Sequence, residues 1–410
     1  MSPSLNVTII GAGIAGTLAA RVLREKHNVT LLEKIGEGHE LGAAINLGPN
    51  ATRILDQYGF DRKRAGSISV GGTRTLTHEG KVIIESVLPD LKAQFGGDWI
   101  VQHRADLWNE FFTLATAPSE ELGLAGQPAK IIWGAEVVDV DVESGDVKLA
   151  DGRVIHSDLV IGADGIKSIV RHLVVGEAAF TTARPSGSSA FRFLLPRCVV
   201  DKVAPHLPVM DSSTPATIEI HLAADDLRRS IVVYPCRNYQ QLNFGCLGLD
   251  SHIQLDTTES WASGGTREDL LRCFGDYTDL RPLLEQAENI KLWQLRDQDP
   301  LPTYIKGRTV IIGDAAHAMT PHQGQGGAQA VEDSEGFSLF IYQDVDRAKV
   351  PDVLRDFDRV RRTRASKIQN ITRSVHEKKT AENMWKNMQY NFTYTGVRNC
   401  LATLNAGQEI

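Results

Sequence analysis

Three short apolar runs, each closing on a glycine turn, stand out in the hydrophobic pattern of the chain. They are NVTII before Gly11, DLVI before Gly162 and RTVII before Gly313. Their unbroken Val/Ile/Leu character predicts strands buried on both faces, as a parallel sheet requires. Ligands of open α/β sheets sit beyond the carboxyl ends of such strands, so three glycine-marked ends point toward one extended ligand. Between the first and the second, residues 137–161 alternate at period two, broken by Ser144-Gly145 and Asp151-Gly152. That pattern predicts a three-stranded antiparallel meander, which departs from the repeating βαβ of ordinary dehydrogenases.

From about Thr181 to Leu295 helical periodicity thins, and AFRFLLP, TIEIHLA, SIVVYP and QLNFGCLGL alternate instead. An antiparallel sheet in a second unit follows from this. Thr266 and Asp269 have capping-box spacing, so a connecting helix begins near Thr266. The chain then returns through LPTYIKGRTVII, which makes the domains discontinuous. The expected division is 1–75, 100–180 and 296–345 for a dinucleotide-binding domain, 76–99 and 181–295 for a substrate domain, and 346–410 for C-terminal helices. Pro351 opens a helix whose apolar face carries Phe357, Val360, Ile368, Ile371 and Val375. Its basic run, Arg355, Arg359, Arg361, Arg362 and Arg364, reads as a solvated or intramolecularly paired face rather than a nucleic-acid patch. Trp385, Tyr390, Phe392 and Tyr394 either cover a pocket or form a dimer contact.

The first turn is the most legible. Gly11, Gly13 and Gly16 form GxGxxG between a strand and a helical stretch that opens at Ile14 and Ala15. Gly11 permits the tight turn, Gly13 the close approach of a pyrophosphate, and Gly16 the packing of helix on strand. The helix N-terminus offers free N–H groups to the phosphates. A second strand, NVTLLEK, ends at Glu33 and Lys34, where a carboxylate is placed to accept ribose hydroxyls. An acid there disfavours a 2′-phosphate, so the adenosine belongs to FAD or NAD rather than NADP. The bland alternative is a glycine turn that merely packs.

Composition narrows the classes. The chain has 410 residues, 42% hydrophobic and 23% charged, enough for two or three packed units of an ordinary globular protein. A net charge of −7 argues against nucleic acid as a partner. Five cysteines without a CxxC pair argue against a disulfide scaffold or structural zinc and fit a reducing, cytoplasmic setting. Residues 1–20 are uncharged but lack the basic start of a signal peptide, and Arg21 follows too early for a membrane span. His317 and His322 fit no metal spacing, so no metal is expected.

Taken together, GAGIAG, HRADL at His103–Leu107, DLVIGADGIKSIVR and GDAAHAMTPHQGQGGAQAVED resemble the single-component class A flavoprotein monooxygenases. The salicylate-hydroxylase-like branch, with fungal phenol and indole monooxygenases, is the nearest in motif. The resemblance implies an α/β protein: a GR2-type Rossmann-like FAD domain with parallel sheet and β-meander, an antiparallel-sheet substrate domain and C-terminal helices. It implies tightly held, non-covalent FAD, a transient NADPH or NADH reductant, O2, and a small electron-rich aromatic substrate. Such a protein hydroxylates or epoxidises through a flavin C4a-hydroperoxide, as monomer or homodimer. By the same resemblance Arg104 contacts the FAD phosphates and ribityl chain, and Asp164 with Gly165 shapes the pyrophosphate site. Asp314 binds the ribityl hydroxyls. Gly324, Gln325, Gly326, Gly327 and Ala328 lie beside the isoalloxazine ring, and Ala44 lies on the same cofactor. The physical reasons stand beside it: a carboxylate suits a polyol, and glycines let backbone approach a flat ring.

Substrate-side candidates follow. Arg192 alternates away from Phe191 and Phe193, and the resemblance makes it a partner for a substrate phenolate; the alternative is a sheet-face ion pair with Glu219. Tyr234 and Asn46 are polar candidates with packing as the alternative, Pro321 borders a dry pocket, and His322 lines it. No general base is identifiable. A single GxGxxG and no WxW disfavour Baeyer–Villiger enzymes and halogenases. A flavin-dependent dehydrogenase of the same fold, without oxygen insertion, stays open.

Overall fold

The computed structural model describes residues 4–37, 42–180, 182–225, 228–253, 264–374 and 381–410. Its six-stranded sheet runs, edge to edge, Ile305–Lys306, Thr309–Ile311, Leu159–Gly162, Asn6–Ile10, Asn28–Glu33 and Lys130–Trp133. All neighbours are parallel except the first pair. Ile10 pairs with Gly162 and Gly162 with Ile311, so the three glycine-marked strands end side by side. Ile9, Ile161, Val310 and Leu31 are fully sealed, which accounts for their uninterrupted apolar runs.

The meander stands as a separate sheet of Val137–Asp141, Asp146–Leu149 and Val154–His156, all antiparallel. The nine-stranded second sheet follows the path Lys291–Asp297, Arg184–Pro196, Gln241–Leu249, Ser230–Cys236, Ala216–Leu222, Ile68–Thr77, Ile100–His103 and Ala44–Leu47, with Val82–Val87 paired on Ile68–Thr77. Every pairing is antiparallel but one, Ala216–Leu222 on Ile68–Thr77. Its far face packs Phe193 flat on Phe244, ring centroids 4.7 Å apart, over a core that includes Phe191 and Phe274.

Thr266 caps the helix Arg267–Phe274 by accepting the Asp269 N–H at 3.0 Å, as its spacing predicts. The long helix Val350–Ser374 buries Phe357 and Val360 in the core around the six-stranded sheet, and Ile368 is buried as well; Val375 lies outside the described residues. Its basic run is paired within the chain. Arg355, Arg359 and Arg362 meet Asp352, Asp356 and Asp358 one turn away, while Arg361 and Arg364 are buried against Glu332. The C-terminal aromatics also pack on their own chain: the Tyr394 hydroxyl donates to Glu335 Oε2 at 2.8 Å, and Phe392 meets Phe95 edge-on. Among the described residues no helix is long and apolar enough to cross a membrane.

Candidate active site

The first glycine turn is built as its sequence requires. Gly11 has φ +100°, and a Cβ there would lie 2.4 Å from the Ala163 carbonyl oxygen, so the first and second strand ends touch backbone to backbone. A Cβ on Gly16 would lie 2.0 Å from the Gly11 carbonyl oxygen, whereas one on Gly13 would meet nothing within 4 Å. Two glycines therefore serve close packing, and the third borders open space at the N-terminus of the helix Ile14–Leu23. Gly313, the third strand end, has φ +60° and closes on the Ala15 methyl.

Glu33 ends its strand with Oε2 accepting the Ala12 N–H at 2.9 Å and Oε1 accepting the Ile35 N–H at 3.0 Å. Each oxygen keeps a second acceptor position for a ribose hydroxyl. Lys34 beyond it is exposed. Trp108, which the pattern did not single out, donates its indole N–H to the Ala12 carbonyl at 2.6 Å and ties the helix Arg104–Thr116 to the same turn. Arg104 opens that helix with its stem packed against Gly42.

At the second strand end Asp164 Oδ2 accepts the N–H groups of Ile169 and Val170 at 2.8 and 3.2 Å. Burial raises the Asp164 carboxyl against those bonds, and Oδ1 is buried without a partner. Gly165 adopts φ +75° beside open space. Arg171, fully buried, donates to the carbonyls of Ile166 and Ala315 and so links this turn to the third.

At the third, Gly313 occupies the N-cap of the short helix Asp314–His317, so the Asp314 carboxylate is not a helix cap; it is exposed. The turn is held from beneath. Asp333 Oδ2 accepts the Gly313 N–H at 2.9 Å and lies 2.6 Å from His317 Nε2, while Arg361 Nε donates to Oδ1 at 2.9 Å. His317 is thus a structural residue of this network. Pro321 and His322 form a single 3-10 turn that ends at Gly324, φ +63°. Gly326 opens the helix Gly326–Gly336 beside empty space, Gly327 packs on Ile45, and Ala328 is buried. Glycines bordering open space at three strand or helix ends, with Glu33 half-buried and Asp314 exposed, suit a long polyol-linked dinucleotide.

The substrate-side candidates converge on this cradle. Arg192 stacks its guanidinium on Trp293 at 4.9 Å, on the sheet face opposite Phe191 and Phe193. Burial lowers its pKa, with the Tyr234 hydroxyl and Arg104 acting on it in opposite senses. Glu219 is engaged elsewhere, with Arg74 at 3.4 Å and His221 at 3.5 Å. Tyr234 is buried, and desolvation carries its hydroxyl well above the usual phenol range despite Arg192 and Asn46. The Asn46 side chain packs on Gly324, whose Cβ would lie 2.7 Å from Oδ1. Asn243, across the register from Tyr234, was not singled out by pattern; its Oδ1 accepts the Ala44 N–H at 3.1 Å. Among the described residues no cluster of His, Cys, Asp and Glu could hold a metal.

An open parallel sheet with three glycine-marked ends, roofed by a second sheet that carries a desolvated arginine, defines a dinucleotide-binding oxidoreductase architecture. The chain belongs to the family described as FAD binding domain, whose model matches residues 4–370. It is a class A FAD-dependent monooxygenase related to the salicylate-hydroxylase-like aromatic hydroxylases of fungi and bacteria. Hispidin-3-hydroxylase of Neonothopanus nambi is 31% identical over 372 residues, 88% of this chain and 86% of the relative. The 6-hydroxynicotinate 3-monooxygenase of Bordetella bronchiseptica is 28% identical over 384 residues, covering 92% and 93%. A salicylate hydroxylase solved as a substrate complex superposes with TM-score 0.71 at 27% identity, covering 98% of this chain and 93% of that one.

Proposed function

We propose that the protein oxygenates a small aromatic that presents an ionised oxygen, phenolic or otherwise, to Arg192, with a nicotinamide dinucleotide as reductant. The bound flavin supplies two-electron acceptance from the nicotinamide and activation of O2 for attack on an electron-rich carbon. The chain supplies position and charge. Arg192 carries the reading: among the described residues no carboxylate pairs with it, and its guanidinium lies over the Trp293 ring. A desolvated guanidinium strongly favours an anion that brings its own counter-charge. Tyr234, protonated throughout the working pH range, adds a donor beside it. An ionised phenol is also the more electron-rich ring, so the same contact binds the substrate and activates it. Relatives named for 6-hydroxynicotinate and salicylate act on aromatics of this kind by name.

Glu33, Asp314, Arg104 and the turn Gly324–Gly327 hold the flavin in this reading, with Gly13 leaving room for its pyrophosphate. A recess of about 200 Å³ beside the Asp164–Gly165 turn is lined by Lys167, Arg171, His172 and Arg296. Its basic lining suits the phosphates of a reductant that docks, delivers hydride and leaves.

The test is a spectrum. Purified protein should show a two-band flavin spectrum that NADH or NADPH bleaches anaerobically, faster with a phenolic carboxylate present. A protein that FAD does not reconstitute, or a flavin that neither nucleotide reduces under any condition, contradicts the reading.

A further inference from the structure

Trp99 stands where two apolar clusters meet, one around Tyr234 and the other around Phe95 and Phe392. It is fixed in three ways. Its carbonyl accepts the Val70 N–H at 2.8 Å, its ring meets Phe392 edge-on with centroids 6.0 Å apart, and its indole N–H donates to Asn46 Oδ1 at 3.0 Å.

That last bond has a directional consequence. An indole N–H only donates, so the oxygen of the Asn46 amide faces Trp99 and the NH2 is left for the opposite side. The Asn46 side chain also reaches toward the Tyr234 hydroxyl and favours its ionised form against burial. An amide NH2 also only donates, so the tyrosine oxygen accepts and its own proton is sent elsewhere. Among the described residues no carbonyl or carboxylate receives that proton. Arg192 stands on the same sheet face as Tyr234, one row of the register away, and the Asn46 amide packs against Gly324.

We propose that Trp99 is a positioning residue: its N–H sets the Asn46 amide so that Tyr234 donates toward the anionic oxygen held by Arg192. The proposal rests on the anionic-aromatic reading given above. It makes the site a specificity filter as well. An ionised oxygen meets two donors, whereas a neutral O–H or N–H group meets donors it cannot satisfy. It also gives the C-terminal segment a task, because Phe392 holds the indole in plane.

The test uses oxidised, FAD-loaded protein and 4-nitrophenol, whose absorbance distinguishes phenol from phenolate. Wild type should bind the ionised form and lower the apparent pKa of the bound probe. Trp99→Phe keeps an aromatic ring toward Phe392 and removes the N–H together with the pyrrole ring that carries it. It should weaken phenolate binding about tenfold, as loss of one bond to a charged group does, and shrink the pKa displacement without altering the flavin spectrum. Asn46→Ala, which spares the indole, should match it. In a Tyr234→Phe background Trp99→Phe should add nothing. An unchanged affinity in Trp99→Phe, or an equal loss with and without Tyr234, overturns the positioning role and leaves the anionic reading standing. A wild type that prefers the neutral probe, or binds neither form, overturns both.

Discussion

His317 Nε2 lies 2.6 Å from Asp333 Oδ2, and neither side chain reaches solvent. Through Asp333 the Gly313 turn, the helix Gly326–Gly336 and Arg361 of the long helix become one unit. Burial alone would raise the Asp333 carboxyl; His317 and Arg361 outweigh it and bring it down to about 2.

Asp333→Asn leaves Arg361 its Glu332 partner and is therefore expected to destabilise the protein by about 1.5–3 kcal/mol, the usual worth of a hydrogen bond to a charged group, and to loosen FAD through the Gly313 turn. Urea unfolding and flavin release measure the two effects. The sign with pH follows from the depressed value. Stabilisation by Asp333 is complete above its unfolded pKa of about 3.9 and fades as pH falls through about 2, so the gap between wild type and variant should close across that window.

The glycines of the first turn separate folding from binding. Gly16→Ala drives a Cβ against the Gly11 carbonyl and should unsettle the fold itself, by several kcal/mol. Gly13→Val meets open space, so its cost to the apo fold should stay near about 1 kcal/mol. Its FAD affinity should fall at least about tenfold if the pyrophosphate occupies that space. Fluorescence titration of apoprotein with FAD, alongside thermal unfolding, distinguishes the two.

How much of this was written in the sequence depended on range. The three strand ends, the meander and the Thr266 cap are local patterns, each set by a few adjacent residues. The side chains that lock the site together are not local. Trp108 reaches Ala12 across 96 residues, Asn243 reaches Ala44 across 199, and Arg361 meets Asp333 across 28. Nothing in the period of RVRRTR distinguishes the two arginines that turn inward to Glu332 from those that stay outside with their aspartates. Arg192 was legible as a residue off the Phe191 and Phe193 face, but its stack on Trp293 comes from strand order.

Arg192→Met should cut affinity for an ionised phenolic probe about tenfold to a hundredfold while leaving the flavin spectrum intact. Arg192→Lys keeps the charge but has no plane to lay on Trp293, so it should recover only part of the loss. Unchanged affinity in Arg192→Met would remove that residue from the substrate site.

Thiol reactivity should be uneven. Cys198 is exposed, whereas Cys236, Cys246, Cys273 and Cys400 are buried. Burial pushes the Cys236 thiol up to about 12 and raises Cys246 and Cys273 as well. Native protein should give one fast-reacting thiol with an aromatic disulfide reagent, and Cys198→Ser should abolish that phase.

The central claim is oxygen insertion into an anionic aromatic. Turnover of a phenolic carboxylate with NADH or NADPH under isotopically labelled dioxygen tests it most directly. The account predicts a product carrying one labelled oxygen atom, with formation lost in Arg192→Met. Nucleotide oxidation across a panel of such acids that yields only peroxide, with no label in any organic product, would contradict it.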